Sequence, residues 1–192
     1  MAVVLGLDIS TSTVGWSIIN AEIGQPTLGY IPLSDVKSMY QKATECKQQL
    51  SLLISQYGVT DIAIEEDLQK FTKGKSSAAT IQKLSKFNGM VSYIVYDLMG
   101  KAPVHIKVND ARSIAGCKII KNTKKNKAAK KVKQQVYEQI MEKLPNYPWP
   151  KKILRSGPRK DQEILIPETY DMVDAYVISV AGKVLLEKKL GK

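Results

Sequence analysis

The spacing of apolar positions changes repeatedly along the chain, and each change marks a new element. Residues 2–8 (AVVLGLD) are an apolar run that closes on an acid, and residues 13–19 (TVGWSII) are a second such run. The short turn Ile9–Ser12 joins them and predicts a hairpin, with a third strand over 27–32. Between 35 and 57, Val36, Met39, Tyr40, Ala43, Leu50, Leu53 and Ile54 fall at helical spacing, and Gly58 supplies the stop. Residues 61–66 (DIAIEE) return to a short buried strand, and a long helix over 76–99 follows, with Ser76 or Ser77 as its cap. A fifth strand is expected over 103–108, then a short helix capped by Asn109 or Asp110. Further on, the pattern predicts a basic, lysine-rich helix over 118–144, with 126–144 as its main part. Residues 145–167 read as a proline- and charge-rich loop, and 168–190 as a final amphipathic helix. This order predicts an α/β domain spanning residues 1–192, with a five-stranded mixed sheet, three antiparallel strands then two parallel ones, flanked by helices.

Three of these elements carry acids where such a sheet exposes its functional edge. Asp8 ends the first strand, Glu65 the fourth, and Asp171 and Asp174 open the last helix at a spacing that puts them on one face. Hard divalent cations take oxygen ligands and share them with phosphates, so a gathering of carboxylates suits Mg²⁺-assisted phosphodiester chemistry. The same acids have ordinary explanations one by one. Asp8 suits a turn, Asp171 and Asp174 suit the positive end of a helix, and Glu65, Glu66 and Asp67 suit a solvated strand end. Their joint placement favours a common site.

Charge strengthens that reading. The 192 residues include 29 basic and 18 acidic side chains, a formal net charge of +11, which suits a polyanionic partner. Nine cations and no acid lie between Ala111 and Tyr137: Arg112, Lys118, Lys121, Lys124, Lys125, Lys127, Lys130, Lys131 and Lys133. A second group, Lys151, Lys152, Arg155, Arg159 and Lys160, sits in the expected loop. Lysines follow phosphates as mobile charges without reading bases. Such runs are also common on solvated helix faces, but the acid-free length favours DNA. Cys46 and Cys117 form neither a disulfide framework nor a zinc cluster, which suits a reducing compartment such as the cytoplasm. The N-terminus lacks the pattern of a signal peptide, and no apolar run approaches a membrane span. His105 lies in an apolar strand and is read as structural, while Met90, Tyr93, Ile94 and Met99 form a helical stripe suited to a core or a dimer interface.

At the acids the chain resembles the RuvC family of Holliday junction resolvases, within the RNase H-like nucleases. VVLGLDISTSTVGWSII is similar to that family's first motif, IAIEEDLQKF to its second, and YDMVDAYVISVAG to its third. The motifs keep their order, so the resemblance covers nearly the whole chain. It implies an RNase H-like fold, and Asp8, Glu65, Asp171 and Asp174 as catalytic ligands of two Mg²⁺ ions, with Mn²⁺ as a substitute. It also implies a homodimer that makes paired nicks in a four-way junction or other branched DNA. The segment after the second motif would enter the junction. Phe71 is its nearest aromatic residue, flanked by Lys73 and Lys75 as further DNA contacts. Lys118, Lys127, Lys130 and Lys131 fall where the family places basic residues near the scissile phosphate.

Two other classes share parts of this pattern. GLDISTSTVGW also fits the first phosphate loop of actin-like ATPases and sugar kinases, but these need a second lobe and a second loop, for which the chain is short. Other RNase H-like nucleases, acting on RNA–DNA hybrids or as recombinases, would use the same acids. A non-catalytic DNA-binding relative would lack some of them.

Overall fold

Strand β1 (Val3–Ile9) turns back into β2 (Thr13–Asn20) through a tight loop in which Ser10 does most of the bonding. Its hydroxyl accepts from the Thr13 amide at 3.0 Å, and its own amide donates to the Thr13 carbonyl, also at 3.0 Å. This is the local hydroxyl-to-backbone bonding that makes serine a turn residue. β3 (Thr27–Pro32) pairs antiparallel with β2, while β4 (Asp61–Glu65) and then β5 (Val104–Ile106) add in parallel on the other side of β1. The sheet order is β3-β2-β1-β4-β5, the mixed five-stranded arrangement expected. The computed structural model describes residues 2–20, 22, 24–66, 77–120, 130–189 and 191. Ser76, Phe71, Lys73, Lys75, Lys121, Lys124, Lys125 and Lys127 lie outside the described residues.

Alternation along the strands divides the sheet into two faces. One face carries Leu5, Leu7, Val14, Ile18, Ile62 and Ile64 against α1 (Met39–Tyr57) and α2 (Ala78–Met99). Leu50, Phe87 and Val91 from these helices are fully buried there. The other face carries Gly6, Gly15, Ser17 and Ala63, with α5 (Thr169–Lys189) lying directly across it. α3 (Val108–Ile114) and α4 (Val132–Lys143) flank α5, and Val136, Ile140, Val173 and Ile178 fill this second core.

The approach of α5 is very close. A Cβ at Gly6 would stand 2.4 Å from the Ser179 amide nitrogen and 2.5 Å from the Ala175 carbonyl oxygen. One at Gly15 would stand 2.2 Å from the Asp171 carbonyl oxygen, and one at Gly182 would meet the Ala63 Cβ at 2.7 Å. Glycine is required at these positions for space, not for backbone conformation.

Several expected boundaries differ. The first helix starts at Met39 instead of 35, because the Val36 amide bonds the Leu33 carbonyl and holds a turn there. Ser77 caps α2 by accepting from the Thr80 amide. The fifth strand is shorter than 103–108, and neither Asn109 nor Asp110 caps the next helix. Both lie inside its first turn, after Lys107. Residues 118–120 are not helical. Gln135 and Gln139, one turn apart on α4, bond the backbone at Ile120 and Lys118 through both amide atoms. The glutamine side chains thus supply the hydrogen bonds that a neighbouring strand would otherwise give. The expected loop 145–167 contains a two-stranded ribbon, β6 (Lys151–Ile153) and β7 (Glu163–Leu165). Among the described residues no helix is long and apolar enough to cross a membrane.

Candidate active site

Asp8 and Glu65 reach the same face of the sheet through strand register. β1 and β4 are parallel with Gly6 beside Ala63 and Leu7 beside Ile64, so the next step along the ladder sets Asp8 beside Glu65. Both residues share the parity of Gly6 and Ala63, the face that α5 covers. Glu66 has the opposite parity, and its amide donates to the Ile106 carbonyl at 2.9 Å. The Asn88 side chain on α2 donates to the Glu65 carbonyl at 3.0 Å and fixes the strand end.

The first two turns of α5 bring Asp171 and Asp174 over these strands. Asp174 is buried, while Asp8, Glu65 and Asp171 keep partial contact with solvent. Lys133 at the start of α4 inserts between the two aspartates, with Nζ 3.2 Å from Asp171 Oδ1 and 3.3 Å from Asp174 Oδ2. Arg112 on α3 approaches the other carboxylate oxygen of Asp174, Oδ1, at 3.9 Å. Its side chain is 16% exposed, and its Nε is buried without a hydrogen-bond partner among the described residues. Tyr170 backs the arrangement. Its ring lies 5.6 Å from Lys133 Nζ and 4.4 Å from the Tyr137 ring, and its hydroxyl donates to Gln134. An open cleft lined by Lys131, Lys133, Gln134, Pro167, Tyr170 and Asp171 leads to this point.

The electrostatics are those of crowded carboxylates. Removal from water, then the charges of Asp174, Glu65 and Asp171, hold Asp8 well above the usual carboxylate range, with Lys133 opposing. Glu65 is pushed up to about 7 by removal from water and by Asp174, against the pull of Arg112 and Lys133. Asp174 is raised chiefly by burial, despite both cations. Burial works against the charge of Lys133, but Asp174, Asp171 and Asp8 more than offset it and raise its pKa. Four oxygen donors crowded at this cost suit a divalent cation. Among the described residues no group of three or more acids, histidines or cysteines stands arranged to hold an ion. Two of the four acids turn towards Lys133 instead.

The other expected contacts are dispersed. Lys118 is exposed beside α4 and Lys131 precedes that helix, while Lys130 is paired with Glu138 at 2.7 Å. Lys133 was expected only as one DNA contact among many. Its place between the aspartates depends on how α4 packs on α5, for which the sequence carries no local signal. His105 is exposed on β5 and shares a 3.0 Å hydrogen bond with Ser92. Ile94 is buried, Met90 and Met99 pack partly against the first core, and Tyr93 is 67% exposed.

No protein-family model and no curated protein matches the sequence. Solved structures do match. The structure "T. thermophilus RuvC in complex with Holliday junction substrate" superposes with a TM-score of 0.61 at 12% identity, over 98% of this chain and 96% of the other. The chain has the RNase H-like fold of the RuvC resolvases. A second Thermus thermophilus RuvC structure gives 0.59 at 14% identity, over 97% and 96%. The yeast mitochondrial Holliday junction resolvase Ydc2 gives 0.53 at 14% identity, over 97% of this chain and 81% of the other.

Proposed function

We propose that the chain is a RuvC-like, metal-dependent endonuclease that resolves four-way or other branched DNA junctions. The observation that carries this reading is the gathering of Asp8, Glu65, Asp171 and Asp174 at one sheet edge, where burial first and neighbouring carboxylates second raise the pKa values of Asp8, Glu65 and Asp174. The fold supports it, since one solved example with this fold is bound to a Holliday junction.

The four acids would hold two Mg²⁺ ions, or Mn²⁺ in their place, with Asp171 and Asp174 exchanging Lys133 for an ion. Bound there, the ions would supply Lewis-acid stabilisation of the phosphate and activate the attacking water. Water adds to phosphorus, the bond to the 3′ oxygen breaks, and that oxygen leaves as a hydroxyl. Lys133, released from the aspartates, and Arg112 would balance the charge that builds on the phosphate oxygens. Lys118, Lys130 and Lys131 would hold flanking phosphates, and so would Lys121, Lys124, Lys125 and Lys127, with Phe71, Lys73 and Lys75 at the junction itself. A homodimer with two such sites would make paired nicks.

The test is a synthetic four-way junction incubated with Mg²⁺, beside a duplex and an RNA–DNA hybrid, for the wild type and Asp8→Asn. Paired nicks in the junction are expected from the wild type, and binding without nicking from Asp8→Asn. Equal cutting by both proteins would sink the metal assignment, and preferred cutting of the hybrid would replace the junction as substrate.

A further inference from the structure

The β6–β7 ribbon is a side arm built on the approach to α5. Its base is closed by the Ile166 amide on the Pro150 carbonyl at 3.1 Å. Its turn is held by Leu154 to Gln162 at 3.0 Å and Asp161 to Leu154 at 2.8 Å, with Gly157 and Asp161 at positive φ. On the entry side, the Tyr147 hydroxyl both donates to the Leu28 carbonyl and accepts from the Leu28 amide, each at 2.9 Å. That pins the chain to β3, the outer strand of the sheet, while Trp149 packs edge-on against Tyr147 at 4.7 Å. On the exit side the chain runs through Pro167, part of the wall of the acid cleft, into the turn of α5 that carries Asp171. The entry end is therefore tied to the outer strand of the sheet, and the exit end to the acid cleft.

The ribbon itself buries little. Ile153 is 63% exposed, and a two-stranded ribbon without a covering layer gains little from burial. What it presents is charge. Residues 151–165 hold five cations and two acids, a net of +3. Lys151 is paired with Glu163 at 2.7 Å, whereas Lys152, Arg155, Arg159 and Lys160 are exposed and make no ion pair among the described residues. Three of these four lie at the tip. A hydrogen-bonded turn whose guanidinium and ammonium groups make no ion pair among the described residues suits the phosphates of a duplex, and a two-stranded ribbon can enter a major groove.

We infer that the β6–β7 ribbon is a second nucleic-acid contact, whose tip, through Arg155, Arg159 and Lys160, grips backbone phosphates of a duplex arm beside the cleavage point. This rests on the proposed junction nuclease and adds to it a surface outside the lysine-rich stretch 118–133.

The experiment measures equilibrium binding of the full chain to a fluorescent four-way junction without divalent metal, across a salt series. The triple variant Arg155→Gln, Arg159→Gln, Lys160→Gln should bind about ten- to a hundredfold more weakly at moderate salt. Its slope of log affinity against log salt should be shallower by about 2 to 3, one step for each lost phosphate contact. The control triple Lys183→Gln, Lys188→Gln, Lys189→Gln removes the same charge from the C-terminal part of α5, roughly 20–30 Å from its start. It should stay within about twofold of the wild type. Unchanged affinity and slope for the ribbon triple, or an equal loss in the control, would overturn the inference. A wild type that binds and nicks junctions while the ribbon triple behaves identically sinks the ribbon alone. A wild type that binds no junction sinks the proposed function and the ribbon with it. If the triple variant does not fold, Arg155→Gln and Arg159→Gln singly carry the same slope test, at about 0.9 each.

Discussion

The two faces of the sheet are built from the same strands yet obey different packing rules. Against α1 and α2 the contacts are between large side chains, such as Leu5, Leu7, Leu50 and Phe87, which set the helices back from the strands. Against α5 backbone meets backbone at Gly6 and Gly15, Gly182 meets the small side chain of Ala63, and a buried hydroxyl pair, Ser17 and Ser179, lies at 3.1 Å. The first face supplies stability by volume. The second gives up side-chain volume so that the helix bearing Asp171 and Asp174 can settle onto the strands bearing Asp8 and Glu65. Only the second brings like charges together, and it does so at a cost in stability.

The sharpest way to break this contrast is Gly15→Ala. The added methyl would overlap the Asp171 carbonyl, and that atom belongs to the helix backbone, so α5 itself must move. Stability should fall by about 3 kcal/mol or more, and junction nicking should be lost even where the protein stays folded. Chemical unfolding and a nicking assay read the two effects, and an active, fully stable Gly15→Ala protein would refute the close-packing argument. Leu50→Ala on the other face should cost a comparable about 2–5 kcal/mol, but leave nicking intact at temperatures where it is folded. If nicking falls with stability in both variants, the two faces are not functionally distinct.

A smaller effect concerns pH. Folding raises the Glu65 carboxyl from its ordinary 4.5 to about 7, so across that window the folded state holds a proton that the unfolded chain has released. Its stabilising contribution is therefore full below pH 4.5 and lost as the pH rises through about 7. Asp8 and Asp174 are shifted in the same direction. Thermal unfolding of the metal-free protein should show this decline, a Glu65→Gln variant should show less of it, and Mg²⁺ should stabilise the wild type more at pH 8 than at pH 5. Matching pH profiles for the wild type and Glu65→Gln would remove the charge-crowding account. The smallest effect is Gly89→Ala on α2, where the new methyl meets nothing within 4 Å. It should raise stability by about 0.5–1 kcal/mol through helix propensity alone, and a loss would show that this face is packed more tightly than the contrast requires.

Much of this arrangement was legible in the residues. Apolar runs that end in Asp8 and Glu65, and helical spacing over the long helices, are local patterns, which any packing partner must respect. The ribbon at 151–165 was not legible, because Pro150, Gly157 and Pro158 punctuate two strands of only three residues each, too short to show a period. Residues 118–120 read as helix because their composition suits one, while Gln135 and Gln139 hold them extended from a distance.

The sequence by itself determined which acids are available, the parity that sends Asp8 and Glu65 to one side of their strands, and the small residues that let a helix approach. Which helix fills that space, and that Lys133 then stands between Asp171 and Asp174 while Arg112 flanks Asp174, were decided only in three dimensions. The physical reason is range. Register and periodicity act over a few residues, whereas the charge balance of the site is struck between groups that meet only after α3, α4 and α5 have packed together.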